Sequence, residues 1–202
     1  VIKNCKYVMV GEPTENKLIR ASKGNILVEF TFNGKPCHSG YPQFGDDAIL
    51  RMFAFIDRLQ KYEFPEDEIL GKTTFNIGRL NSDNAHNVVS YEAKMKIFFR
   101  TTKATHDILM EIVNSLTDEE TEVKFGYGDK PMDFITVDGF ESGIVSYGTD
   151  APELFNLGEC LLYGPGSILD AHTENEFIKI SDMEKAVSDH LKIYNVLKEK
   201  LN

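Results

Sequence analysis

Between Lys23 and Lys35 apolar and polar residues alternate, so that Ile26, Val28, Phe30 and Phe32 fall on one face and a half-buried strand is predicted. Asn33-Gly34 ends it as a turn. The period then changes. From Asp46 to Lys61, Ile49, Met52, Phe53, Ile56 and Leu59 recur at helical spacing, with Asp46 and Asp47 placed to complement the amino-terminal dipole. Two strands follow, Thr73 to Leu80 and Ser90 to Thr101, joined by the polar Asn81-Ser82-Asp83-Asn84. A second helix over Thr105 to Leu116 carries Ile108, Leu109, Ile112, Val113 and Leu116, and Glu122 to Tyr127 makes a last strand. Strand, helix, strand, strand, helix, strand is the split βαβ plan of ferredoxin-like domains. It predicts an α+β unit with a four-stranded antiparallel sheet and two helices on one face.

The flanks have a different texture. Tyr7-Val8-Met9-Val10 reads as a buried strand that stops at Gly11-Glu12-Pro13-Thr14. After Pro131, strands are predicted at Phe134 to Val137 and Cys160 to Tyr163, with a segment from Phe140 to Tyr147 leading into the Gly148-Thr149-Asp150 turn. Ser181-Asp182-Met183-Glu184 has the form of a capping box opening the closing helix, whose buried stripe is read as Met183, Val187, Leu191, Tyr194, Leu197 and Leu201. The expected organisation is therefore an α/β domain in two pieces, residues 1–16 and 130–202, with the ferredoxin-like domain of residues 17–129 inserted between them. Residues 17–22 and 128–131 are expected to be hinges.

Composition narrows the class. Hydrophobic residues at 42% and charged residues at 27% suit an ordinary core under a solvated surface. No run reaches the ~18 apolar residues that span a bilayer, and no signal peptide opens the chain, so no membrane partner is expected. A formal charge of −10 with scattered acids argues against nucleic acid. Cys5, Cys37 and Cys160 are odd in number and lack CxxC spacing, which points to free thiols in a reducing compartment, the cytoplasm. The chain opens on Val1 rather than methionine, and a cut or processed amino terminus is expected.

Candidate chemistry sits in loops. Gly164-Pro165-Gly166-Ser167 leads to Asp170-Ala171-His172-Thr173-Glu174-Asn175-Glu176, which sets a lone histidine among turn formers and acids. A neutral imidazole there suits a divalent metal, and equally suits a loop histidine bonded to Glu174 or Glu176. Glu12 lies at the carboxyl end of a strand between a glycine and a proline, a usual place for a site residue in an open α/β sheet and also for an ordinary strand-end acid. A third segment runs Gly34-Lys35-Pro36-Cys37-His38-Ser39-Gly40-Tyr41-Pro42.

Gly11-Glu12-Pro13-Thr14, the His38 segment and the His172 segment, in this order, resemble the M20 family of zinc-dependent amidohydrolases and peptidases. Tyr147-Gly148-Thr149-Asp150-Ala151-Pro152 followed by the Gly-Pro-Gly-Ser loop looks closest to the acetylornithine deacetylase and succinyl-diaminopimelate desuccinylase type. The resemblance implies a zinc-peptidase-like α/β domain carrying a dimerisation lid. It implies Glu12 and His172 as metal ligands, each to a different ion of a zinc pair, with cobalt or manganese as alternatives. It implies His38 as an oxyanion donor that reaches a partner's active site, and Asn87 and Arg100 as residues that grip a substrate carboxylate. The implied partners are a second copy of the chain through the lid and a small N-acyl amino acid or peptide. The family's upstream His-x-Asp, bridging aspartate and glutamate pair have no match here, so the chain resembles the carboxyl-terminal part of such an enzyme and is expected to be inactive alone. The lid segment departs modestly from the family pattern at Gly40 and at Asp46-Asp47. A different class of function also fits the 202 residues: a non-catalytic homodimerisation scaffold that pairs through an edge strand and a helix. His86, His106 and His190 match no motif and are read as surface or helix-packing residues.

Overall fold

The structure, a computed structural model, describes residues 5–200. In chain order the elements are β1 (Tyr7–Val10), β2 (Leu18–Ser22), β3 (Gly24–Asn33), a 3-10 turn (Pro42–Phe44), α1 (Ala48–Lys61), β4 (Glu66–Asp67), β5 (Gly71–Lys72), β6 (Thr74–Asn81), β7 (Glu92–Thr101), α2 (Leu109–Leu116), β8 (Thr121–Asp129), β9 (Met132–Asp133), β10 (Ser142–Val145), α3 (Ala151–Leu154), β11 (Glu159–Leu162) and α4 (Ile180–Glu199). They form two compact units. One runs from Gly24 to Lys130, and the other joins the residues up to Lys23 to those from Pro131 onward.

In the first unit the sheet order is β6-β7-β3-β8, all antiparallel, with β3 and β7 in register from Gly24↔Thr101 to Asn33↔Glu92. This is the ferredoxin-like α+β fold. Alternation along the two central strands puts Val28, Phe30 and Phe32 with Ala93, Met95, Ile97 and Phe99 on one face, under Met52, Phe55 and Leu59 of α1 and Leu109, Ile112 and Val113 of α2. Phe53, read as a core residue, is 55% exposed, and Phe55 takes the buried place. The start of α1 is fixed by Asp47, whose side chain accepts from the amides of Ile49 (2.9 Å) and Leu50 (3.3 Å). α2 begins four residues later than predicted. Residues 105–108 are held as a turn instead, because the buried hydroxyls of Thr73, Thr102 and Thr105 bond to one another and to the Thr102 amide.

The second unit is α/β. Its sheet runs β1-β11-β2-β10, with β9 also on β2; β1 with β11 and β10 with β2 are parallel pairs. One face packs Tyr7, Met9, Leu18, Leu161 and Tyr163 against Ala186, Ile193 and Leu197 of α4, and the other packs Val10, Ile19, Cys160 and Leu162 against Ala151 of α3. Four expectations are corrected here. Residues 17–22 are not a hinge, since Leu18–Ser22 is an interior strand with Leu18, Ile19 and Ala21 buried. Phe134 to Val137 forms no strand: Phe134 N–H donates to Arg20 O and Ile135 N–H to Cys160 O, so the segment steps from β2 to β11 and cannot run a ladder on either. Ser181 caps nothing, because Lys179 holds the N-cap position and α4 begins at Ile180 without a side-chain cap bond. Finally, Met183, Val187, Leu191 and Tyr194 are exposed, the buried face being Ala186, Asp189, Ile193 and Leu197; of the predicted stripe only Leu197 is buried, and Leu201 lies outside the described residues. Among the described residues no helix is long and apolar enough to cross a membrane.

Candidate active site

β1 and β11 are adjacent and parallel, with Val10 opposite Leu162, so the Glu12 loop and the Gly164 loop leave the sheet at the same carboxyl end. Ligand sites of open α/β sheets form at such ends. Backbone bonds join the two loops across 150 residues of sequence: Thr14 N–H and Asn16 N–H donate to Gly164 O (3.2 and 2.9 Å), and Glu15 N–H donates to Gly166 O (2.8 Å). The Thr14 hydroxyl accepts from Gly164 N–H at 3.0 Å and donates to Lys17 O at 2.8 Å. Gly164 is required by contact, since a Cβ there would stand 2.4 Å from the Glu12 carbonyl oxygen. Glu15 and Asn16 follow in the left-handed region, at φ of 57° and 58°.

Glu12 is half-buried, and this burial raises its carboxyl above the usual range, with the Asp150 carboxylate adding to the effect. Asp150 stands directly before α3. The Tyr147 hydroxyl donates to Pro13 O at 2.7 Å and so braces the Gly-Glu-Pro-Thr loop; burial, then the charges of Glu12 and Glu15, push its phenol strongly upward. Tyr147 was not among the candidate residues, although it stands in the Tyr-Gly-Thr-Asp segment that carried the family likeness. His172 is exposed, with φ of 62° and its N–H donating to Glu176 Oε2 at 2.9 Å. A carboxylate and an imidazole are donor types that zinc accepts. Among the described residues, however, no three His, Cys, Asp or Glu side chains converge as a metal-holding group.

In the ferredoxin-like unit His38 is exposed on the loop between β3 and α1. An antiparallel bridge joins it to Val88, and Ser39 N–H donates to Asn87 O at 2.9 Å, so the fold brings His38 and Asn87 together. His38 Nδ1 accepts from Gly40 N–H at 3.1 Å, a bond that selects the tautomer with its proton on Nε2. Arg100 lies elsewhere. It is near the far end of β7, which begins at Glu92, and eight residues of extended strand span about 27 Å. Its guanidinium is half-buried over the Phe98 ring at 4.7 Å, burial lowers its pKa, and among the described residues no carboxylate meets it. The remaining histidines have local roles: His86 is exposed, His106 Nδ1 bonds the Thr101 hydroxyl at 2.8 Å, and His190 meets Tyr163 edge-on at 5.3 Å.

Residues 20–124 match the family model described as a peptidase dimerisation domain, the dimerisation domain of M20 peptidases. This chain belongs to that family. A relative from Aspergillus flavus, named a probable carboxypeptidase, is 38% identical over 210 residues, covering 92% of this chain and 50% of the relative. A peptidase M20 domain-containing protein from Schizosaccharomyces pombe is 34% identical, covering 95% of this chain and 49% of that protein. The M20 chain thus spans about half the length of the curated relatives it matches. Among solved structures, a tripeptidase from Staphylococcus aureus superposes with a TM-score of 0.73 at 18% identity, over 90% of this chain and 54% of that one. An aminopeptidase from Bacillus cereus gives 0.66 at 18% identity, over 89% and 53%. These two likenesses show a shared fold.

Proposed function

We propose that the chain is the closing half of a metal-dependent amide hydrolase that acts on a small peptide or an N-acyl amino acid with a free carboxylate. The observation that carries this reading is the joining of the Gly-Glu-Pro-Thr and Gly-Pro-Gly-Ser loops at the carboxyl end of two parallel strands. Glu12 and His172 are the ligands that this half contributes to a zinc pair, and the rest of the shell comes from outside the chain. The metal, when bound, activates water for attack on the amide carbonyl. His38 donates from Nε2 to the developing oxyanion, a kind of contact worth ~3 to 4 kcal/mol. Arg100, a half-buried cation that meets no carboxylate among the described residues, pairs with the substrate carboxylate. The separation of Arg100 from His38 and Asn87 along β7 supports a site shared by two protomers, each lid sending its His38 end to its partner. Among the described residues β6 pairs with β7 alone, and its free edge with the exposed Leu50 and Phe53 of α1 suits a two-fold lid contact.

The test uses the complete polypeptide. Calorimetric zinc titration of Glu12→Gln and of His172→Ala is expected to show one fewer tight ion than the parent, with hydrolysis reduced at least 100-fold. Arg100→Ala is expected to raise KM about tenfold for free-carboxylate peptides and to leave amide-capped ones unchanged. Unaltered zinc stoichiometry in both ligand variants overturns the reading. The scaffold reading is favoured by one observation, that residues 20–124 match a dimerisation domain. It predicts full dimerisation of the chain with zinc removed and no metal site in the complete protein.

A further inference from the structure

The loop that carries His38 has no apolar anchor of its own. From His38 to Phe44 every residue is exposed, and the first buried side chain after it is Ala48 at the head of α1. Its outgoing arm is laid on the segment that carries Asn87, with Ser39 N–H donating to Asn87 O and Val89 N–H to Cys37 O, both at 2.9 Å. That segment is itself knotted by Asn84, whose side chain donates to Ser90 Oγ at 2.9 Å and accepts from Tyr91 N–H at 3.3 Å. The return arm is held differently. It matters because Gly40 N–H, the donor to His38 Nδ1, belongs to it. The amides of Tyr41, Phe44 and Gly45 each close on the carbonyl three residues back, which shapes the arm without fixing it to the sheet. The fixing comes at Asp46. Its backbone exchanges two bonds with Lys35, at 2.8 and 2.9 Å, and its carboxylate accepts from Arg51 Nη2. Arg51 Nη1 donates to Asp118 and, at 3.4 Å, to Glu120, both in the connection from α2 to β8. Asp118 is braced in turn by the Thr121 hydroxyl, which donates to Oδ1 at 2.6 Å. The Arg51 side chain is 15% exposed, so the fork is packed in place. The two arms also touch: a Cβ at Gly45 would stand 2.6 Å from Cys37 Sγ and from Lys35 O, so a shift of one arm is passed to the other.

We propose that Arg51 is a positioning residue for His38: by bridging Asp46 to Asp118 it fixes the return arm, and through Gly40 N–H it keeps the imidazole in the orientation and tautomer from which Nε2 donates. The inference rests on the hydrolase reading, in which His38 meets the oxyanion. Arginine suits the task because its planar fork serves two carboxylates at once, which an ammonium on a flexible stem does not. The oxyanion exists only along the reaction path, so a displaced donor costs turnover rather than substrate affinity.

The test follows hydrolysis of a free-carboxylate peptide by the complete polypeptide through a double-mutant cycle. Arg51→Gln is expected to lower kcat about tenfold, with KM within about twofold and the zinc stoichiometry unchanged. In a His38→Ala background the same substitution is expected to change kcat by less than about twofold, because no ring is left to position. Asp46→Asn covers the case in which Arg51→Gln does not fold: it loosens the arm, leaves Asp118 and Glu120 on Arg51, and should lower kcat at least threefold. Arg58→Gln is the control. Arg58 Nε donates to Leu116 O at 2.9 Å, which ties α1 to α2 away from the loop, and its loss should leave kcat as in the parent. Equal losses from Arg51→Gln with and without His38, or an Arg58→Gln loss that matches it, overturn the proposal. Amide exchange gives a readout that needs no turnover: Gly40 N–H is expected to exchange at least threefold faster in Arg51→Gln, and an unchanged rate also overturns the proposal. Full turnover by His38→Ala, or none by the parent, refutes the hydrolase reading of this loop and the proposal with it, whereas turnover lost on His38→Ala with an additive cycle refutes the proposal alone.

Discussion

α1 of the ferredoxin-like unit and α4 of the α/β unit are both long amphipathic helices laid on a sheet, yet the two are finished to different degrees. α1 is capped by Asp47, buries Ala48, Met52, Phe55 and Leu59, and leaves Leu50 and Phe53 bare. α4 has no side-chain cap, buries four residues of which one is an aspartate, and leaves five apolar residues in the open. The ferredoxin-like unit lays both of its helices on one face of a sheet built from neighbouring sequence. The α/β unit covers one face of its last helix and, among the described residues, pairs one edge of its first strand. Among the described residues the two helices thus differ in how much of their apolar surface is covered.

Truncating one apolar residue on each helix gives the largest contrast. Phe55 is fully buried, its ring 4.8 Å from Phe30 and 5.7 Å from Phe32. Phe55→Ala is expected to cost about 3 to 5 kcal/mol in urea unfolding followed by circular dichroism. Leu191→Ala in the same chain is expected to change stability by less than about 0.5 kcal/mol, because the side chain has little to lose. Comparable losses would mean that the α4 stripe is already covered.

The next contrast concerns how α4 is seated. Burial pushes Asp189 upward, but the side chains of Lys185, Tyr163 (2.7 Å) and Lys192 (3.0 Å) outweigh that and hold its carboxyl at about 2. A depressed carboxylate stabilises the fold above its unfolded value and loses that contribution as pH falls through its folded value. The window is therefore about pH 4 down to 2. Both lysines are more than half exposed, so the loss is expected to be about 1 to 2 kcal/mol rather than the full amount of the shift. Asp189→Asn should flatten this part of the stability curve, measured by melting at successive pH values, and should leave the acid response of the lid's amide protection unaltered.

The lid was the more legible unit, for a physical reason. Its strands alternate and one face of each helix packs on their sheet, so the period-two and helical patterns describe burial directly, with Phe53 and Phe55 exchanged on α1. In the α/β unit the same kind of pattern located an apolar stripe on α4 but could not state what covers it, and the stripe proved bare. Phe134 to Val137 looked like a strand because apolar composition does not reveal that its backbone divides its bonds between two neighbours. For the candidate site, the motifs were readable as segments while their spacing in space was not. Nothing in the order of residues places Asn87 beside His38 and Arg100 at the other end of a ten-residue strand, because that depends on register.

The smallest contrast lies at the two helix starts. Asp47 accepts two amide hydrogen bonds at the head of α1, and Asp47→Ala is expected to cost about 1 kcal/mol. Ser181 followed three residues later by Glu184 has the form of a capping box, yet Lys179 occupies the N-cap position and the serine lies inside the first turn. Ser181→Ala should therefore change the melting temperature by no more than measurement error, and alanine's better helix propensity gives it a slightly favourable sign. A loss near that of Asp47→Ala would mean that in solution Ser181 is the N-cap and α4 begins two residues later, at Asp182. The start of α4 would then have been set by the local capping sequence rather than by the packing of Ala186 and Ile193 on the sheet.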